Sequence, residues 1–232
     1  MAWIHAELHF SGLFSYRIPN LSPSYALTSI IPSPSAVRLA LVETAIRSKG
    51  SVNYGEEMFE LIKVAPLEIE PPDRVSVLKF FIKRLKPSKS KEKGFEISFG
   101  VREYCHFLGP MKIYMRLKER EEEVRFIFRQ LGRLGTTDST LRCEVSLSEK
   151  EPELSNTIKV IGTLKPEFSN LSRRPVVSLK EIKKDTDFSQ INPYSQGRRG
   201  EPYISVTYVL PLREIKKGEN FVLYEKVPFI VQ

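Results

Sequence analysis

Ile4, Ala6, Leu8 and Phe10 alternate with Trp3, His5, Glu7 and His9. That period of two belongs to a half-buried strand and predicts one over 2–10. A loop rich in Ser, Pro and Tyr covers 11–34. The period then changes. Ser33 stands as N-cap and Pro34 at the first helical position, Val37, Ala40, Leu41 and Thr44 form one stripe, and Gly50 ends the helix. Residues 59–70 read as a second strand, stopped by Pro71 and Pro72, and residues 74–105 as a hairpin. Met111, Ile113, Met115 and Leu117 alternate with Lys112, Tyr114, Arg116 and Lys118, so another strand follows. Glu119, Glu121, Glu122 and Glu123 suit the positive end of a second helix, with the stripe Val124, Ile127, Phe128 and Leu131 and a stop at Gly132. Leu141, Cys143, Val145 and Leu147 alternate with Arg142, Glu144 and Ser146 as a strand. Later segments at 157–164, 175–179, 203–210 and 221–229 read as strands between Pro- and Gly-containing loops.

This order, βαβ, hairpin, βαβ, predicts an α+β protein. A ferredoxin-like, RRM-like βαββαβ domain over 1–150 carries an inserted hairpin at 74–105, and a β-rich half follows at 151–232. Two helices must cover one face of the four-stranded sheet. The other face then presents Trp3, His5, His9, Lys112, Tyr114 and Arg116. Aromatics interleaved with cations on an open sheet can read single-stranded RNA. The competing reading buries Trp3 and Tyr114 under the C-terminal half.

Charge sharpens this picture. Lys79 to Lys93 holds seven Lys or Arg against Glu92, which is +6 of the net +8 of the 232-residue chain. The apolar, β-rich runs on both sides make it an ordered projection. A concentrated positive field on a rigid arm suits a polyanion, RNA or DNA first; a solvated loop that keeps the protein soluble is the plainer reading. The pI near 9.4, with 41% hydrophobic and 28% charged residues, fits a soluble globular protein with an anionic partner. No apolar run reaches the roughly 20 residues of a membrane span, and residues 1–15 do not read as a signal peptide. A cytoplasmic location is therefore expected. The N-x-S matches at Asn20 and Asn170 then carry no weight, and Cys105 and Cys143 are expected as reduced thiols. Abundant Lys, Arg and Glu with few Met and Cys hint at a thermophile.

No phosphate-loop, dinucleotide or zinc-protease motif is present, and no cofactor is expected. His5 and His9 stand about 13 Å apart along one strand, too far to share a metal, so no metal site is expected. Tyr104 and His106 beside Arg102 have the residue types of a metal-independent ribonuclease; an exposed turn before Gly109 and Pro110 explains them equally. The first turn of the first helix, with Ser33 and Ser35, can hold a phosphate, with Tyr16, Arg17 and Arg38 converging there. An ordinary N-cap accounts for Ser33 alone.

Gly12-Leu-Phe-Ser-Tyr-Arg17, then Ser24 to Val37 with its Pro-Ser-Pro-Ser helix start, then a long basic hairpin, resembles the CRISPR-associated RAMP proteins of the "Cas five" family. The resemblance covers about residues 1–145. It implies a subunit of Cascade, the RNA-guided surveillance complex of antiviral defense, that caps the 5′ handle of the CRISPR guide RNA (crRNA). Its partners would be crRNA, the backbone RAMP subunit, the large subunit and target DNA. The resemblance carries handle contact to Tyr16, Arg17, Ser33, Ser35 and Arg38, and the thumb to 75–104. With the base of the arm, the expected RNA contacts are also Lys79, Lys83, Arg84, Lys86, Lys89, Lys91, Lys93, Arg102, Tyr104 and His106. One branch of the family cleaves precursor RNA with a Tyr and an adjacent Lys-His pair. This chain has no Lys-His pair, and Gly197-Arg-Arg-Gly200 is too sparse for the glycine-rich loop of the related "Cas six" nucleases. The expectation is a non-catalytic binder, with a metal-independent endoribonuclease as the alternative.

Overall fold

The computed structural model describes residues 2–18, 22, 24–88, 94–163, 171–195 and 200–229. Lys89, Lys91, Lys93, Asn20, Asn170, Leu164 and the run from Gly197 to Arg199 lie outside them. The first part of the chain runs β1 (Trp3–Phe10), β2 (Tyr25–Ala26), α1 (Pro34–Lys49), α2 (Val52–Ile62), β3 (Leu67–Glu70), β4 (Arg74–Pro87), β5 (Phe95–Leu108), β6 (Met111–Arg116), α3 (Glu121–Arg129) and β7 (Leu141–Ser148). Then come β8 (Lys159–Val160), β9 (Val176–Ile182), α4 (Phe188–Ile191), β10 (Tyr203–Val209), β11 (Leu212–Lys217) and β12 (Phe221–Lys226). The protein is mixed α/β, rich in strands.

The alternating segments build an antiparallel sheet in the order β3-β6-β1-β7. Ile4, Ala6 and Leu8 of β1 share a core with Val37 and Leu41 of α1 and Val124, Ile127 and Phe128 of α3. Ser33 caps α1 by accepting from the Ala36 N–H (3.1 Å), and Gly50 ends it at φ 63, a left-handed conformation that suits glycine.

The expected strand over 59–70 is half wrong. Its first part belongs to α2, which opens on Ser51 as N-cap (Tyr54 N to Ser51 Oγ, 3.3 Å) and buries Gly55, Met58, Phe59 and Ile62. Those positions follow i, i+3, i+4, i+7, the helical period. Only Leu67–Glu70 is strand. In the later half, the segment expected over 157–164 shrinks to Lys159–Val160 between 3-10 turns, and the segment expected over 221–229 stops at Lys226.

A second sheet has the order β11-β12-β4-β5-β2. Here β12 pairs with the first residues of β4, from Phe221 opposite Leu78 to Glu225 opposite Arg74. The C-terminal strands therefore brace the base of the hairpin. A third sheet, β8-β10-β9, brings Leu179, Ile182 and Tyr208 into the same core as α1 and β1.

Candidate nucleic-acid interface

β4 and β5 form a continuous antiparallel ladder from Arg74 opposite Leu108 to Pro87 opposite Phe95, with Ser88 N–H donating to Gly94 O (3.0 Å). Directly opposed residues lie on the same side of the ribbon, so the register sorts the hairpin into two faces. One face carries Ser76 with His106, Leu78 with Tyr104, Phe80 with Arg102, Ile82 with Gly100, Arg84 with Ser98, and Lys86 with Glu96. The other carries Val75 with Phe107 and Val77 with Cys105 at the buried base, then Lys79 with Glu103, Phe81 with Val101, Lys83 with Phe99, Leu85 with Ile97, and Pro87 with Phe95.

On the first face a groove of about 250 Å³ is lined by Arg84, Lys86, Arg102, Ser24, Ser98 and Gly100, among others. Its wall at Ser24 is set by main-chain contact: Val101 N–H donates to Ser24 O (2.8 Å), and β2 runs parallel to β5. A Cβ on Gly100 would come within 3.0 Å of that same carbonyl oxygen, so glycine permits the approach. Lys86 lies 3.0 Å from Glu96, and Arg102 donates to its neighbour's carbonyl, Val101 O (2.9 Å). Among the described residues no carboxylate pairs with Arg84 or Lys83. Tyr104 packs edge-on to Phe80 (5.7 Å between centroids), and Lys79 sits over the Tyr25 ring (5.8 Å) and 3.8 Å from Glu103. Cations, hydroxyls and aromatic edges on one ribbon face can hold phosphates and stack bases.

The other predicted phosphate site is closed. Ser33 and Ser35 are buried, their hydroxyls are 2.9 Å apart, and the Tyr16 hydroxyl shares a 2.7 Å hydrogen bond with Ser33. Arg38 does not converge on them. It is buried, donating from Nε to Ile62 O (3.0 Å) and from a terminal nitrogen to Ala65 O (2.8 Å), with Glu181 of β9 at 3.4 Å. Its guanidinium is a structural tie between α1, the end of α2 and the C-terminal half. Arg17 remains exposed in the loop, in a bridge with Thr28.

On the helix-free face of the first sheet, Trp3 and Tyr114 are buried. The segment after β7 crosses above them: His5 hydrogen-bonds the Lys150 backbone, Arg116 pairs with Glu151 (3.7 Å), and Ile158 N–H donates to Ile69 O (2.9 Å). Arg116 also lies over the Trp3 ring (5.3 Å). The remaining cavity of about 380 Å³ holds His5, Glu7, Lys112, Tyr114 and Glu144. Burial, with Lys112 nearby, holds the His5 imidazole below its ordinary range, so its walls carry two carboxylates against one ammonium and disfavour a polyanion. Glu7, His9 and Glu144 bring ligand-type atoms within 4.8 Å of one another. Arg142 already bonds Glu144, and Lys112 lies 3.9 Å from Glu7, so these carboxylates have cationic partners. Cys105 and Cys143 are buried free thiols, and desolvation pushes Cys143 up to about 12.

Arg102, Tyr104 and His106 follow one another on a single face of β5. The sequence pointed to those cations and rings but missed Ser24, Ser98, Gly100 and Phe80. Alternation over 95–101 hinted at a two-faced strand; the register with β4 was needed to say which residues share a face.

Over 230 residues, 97% of this chain and 99% of its relative, the sequence is 39% identical to the CRISPR-associated protein Cas5 of Archaeoglobus fulgidus. The chain belongs to the Cas5 family. No family model matches it. Among solved structures, a CRISPR protein from Archaeoglobus fulgidus aligns over 97% of this chain and 92% of its own, with TM-score 0.48 and 14% identity. A chain of the type III-B Cmr-beta complex bound to cognate target RNA and AMPPnP aligns over 94% of this Cas5-family chain and 86% of its own, with TM-score 0.45 and 12% identity. A CRISPR RNA-guided surveillance complex contains another, at 98% and 91% coverage, TM-score 0.43 and 11% identity. Among the described residues no helix is long and apolar enough to cross a membrane.

Proposed function

We propose that the protein is a non-catalytic crRNA-binding subunit of a type I Cascade complex, acting in the cytoplasm and capping the 5′ handle of the guide. In this reading β1, β3, β6 and β7 with their helices are a ferredoxin-like domain, and the β4–β5 hairpin is its thumb. The observation that carries the reading is the groove where Arg84, Lys86 and Arg102 meet Ser24 and Ser98. Three cations around a phosphate-sized recess, beside exposed aromatics, are what a single strand needs. Lys83 and the lysines outside the described residues add field along the same arm. Arg17 and Tyr16 stay as candidate handle contacts on the neighbouring loop, whereas Arg38 is committed elsewhere.

The endoribonuclease alternative rests on the row Arg102, Tyr104, His106. Alternate residues of a strand stand about 7 Å apart, which puts Arg102 and His106 at about 13 Å. A base and a phosphorane-holding cation must act on the same ribose phosphate, so this row is better suited to following a chain than cutting it. The native complex tests both readings. Small RNAs of uniform 5′ sequence should co-purify with it, and repeat RNA incubated with the purified chain in EDTA should stay intact. Specific cuts that vanish with His106→Ala would overturn the non-catalytic reading. A complex free of RNA would overturn both.

A further inference from the structure

The face of the hairpin opposite the basic groove has no covering. β12 accompanies β4 only through Leu78, and β2 meets β5 only at Val101 and Arg102. From Phe80 outward, and up to Gly100 on the return strand, the described ribbon therefore has two strands and no third. Its second face is apolar and exposed: Phe81 at 73%, Leu85 at 71%, Phe95 at 66%, Phe99 at 54% and Ile97 at 53% of their full accessibility. Phe81 and Phe99 already stack on each other, 5.5 Å between centroids at 14°. These side chains expose on the order of 500 Å² of apolar surface, as large as the biggest patch on a typical monomer and often functional. An isolated two-stranded ribbon is marginal in water. This one gains a hydrophobic partner only from outside the chain.

We propose that this face is the docking surface for a second protein of different sequence, one that offers an apolar surface with carboxylates opposite Lys83. The proposal rests on the RNA-binding reading for the division of labour between the two faces. Single-stranded RNA needs cations beside its stacked bases, and Arg84, Lys86 and Arg102 all stand on the groove side. Lys83 is the one cation on the apolar side of the described distal ribbon. A second copy of this chain fits poorly. Ribbons placed face to face would set Lys83 near Lys83 and bring together two segments that each carry +6 of a +8 chain. An apolar surface with acidic groups at its rim removes the exposed area and answers the ammonium.

The test uses the full chain in its native assembly. p-Benzoylphenylalanine replaces Phe99 on the apolar face in one form and Ser98 on the groove face in another, and each assembly is irradiated and its adducts identified by mass spectrometry. The Phe99 form is expected to link to a different protein and the Ser98 form to RNA. Adducts at Phe99 with RNA alone, with a second copy, or with nothing while the assembly forms would each overturn the proposal. In parallel, Phe81→Ser with Leu85→Ser should lower incorporation of the chain into the assembly at least tenfold and leave its own RNA affinity within about threefold. Equal incorporation would overturn the proposal. If no RNA is found anywhere but the Phe99 protein adduct persists, the docking surface stands and the RNA reading fails.

Discussion

The Arg38 guanidinium donates to two main-chain carbonyls, Ile62 O and Ala65 O, and stands 3.4 Å from Glu181, which in turn accepts from the Tyr208 hydroxyl at 2.5 Å. Burial pulls its pKa below the ordinary arginine value, and Glu181 opposes that pull. An arginine so enclosed joins elements that are far apart in sequence. Removing one partner of such a buried network costs about 3–5 kcal/mol, because carbonyls and a carboxylate are left without a donor. For a chain of this size, Arg38→Met should lower the melting temperature by roughly 10 °C in a calorimetric scan. Its RNA affinity, measured well below that temperature, should stay within about twofold. A normal melting temperature with lost RNA binding would return Arg38 to the handle site.

α3 is held to α2 through a small charged cluster, and this joint should show in the pH dependence of stability. The Tyr54 hydroxyl donates to Glu123 (2.6 Å), and Arg120, in the left-handed region at φ 59, donates to both carboxylate oxygens of Glu123. The Arg120 hydrogen bond holds Glu123 below its ordinary 4.5, and burial first, then Glu123, pushes Tyr54 from 10.0 up to about 12. A depressed carboxyl stabilises the fold above its unfolded pKa, and that contribution is lost as pH falls below about 4.5 through the folded value. A raised phenol contributes below pH 10, and its share is lost as pH rises from 10 towards 12. Urea midpoints should therefore fall at both ends, and Glu123→Gln should flatten the acid limb relative to the native chain. An unchanged acid limb would remove Glu123 from the joint. At this scale the sequence was readable where a period is strict: β1, β6 and β7 lie where alternation puts them, and α1 starts and stops at its capping residues. α2 was lost because Phe59 to Ile62, viewed alone, is only a short apolar run; its helical period appears when Ser51, Gly55 and Met58 are included. β11 has one buried residue, Leu212, and so no pattern to read. The candidate site divides the same way. Its cations were visible, but the sorting of the hairpin into two faces depends on a register that no single strand encodes. The closure of the α1 start depends on Tyr16, 17 residues before Ser33, and the position of Arg38 on Glu181, 143 residues away.

Across the whole molecule, the two halves share one core and one sheet. Leu179, Ile182, Phe188 and Leu212 lie in the cluster that holds Ile4 and Phe59, and Lys226 reaches back to Glu70 (2.9 Å) and Asp73 (2.7 Å). A fragment ending at 150 would expose that core and strip β12 from the base of the hairpin. It should show no cooperative thermal transition, whereas the full chain shows one; a sharp melt of the fragment would establish it as an independent domain. Net charge raises a different question: whether RNA is held by a local groove or by the +8 field of the entire surface. Salt separates the two, because each phosphate neutralised on a single strand adds about 0.7 to the slope of log affinity against log salt. Replacing Arg84, Lys86 and Arg102 by Gln should lower that slope by about 2 and weaken binding most at low salt. Lys184, Lys216 and Lys217 are exposed and lie outside the residues that line the groove. Exchanging these three for Gln removes the same charge and should leave the slope nearly intact. If both triple variants lose affinity equally, with the same change in slope, the surface acts as a diffuse cation and the groove has no privileged part in holding the strand.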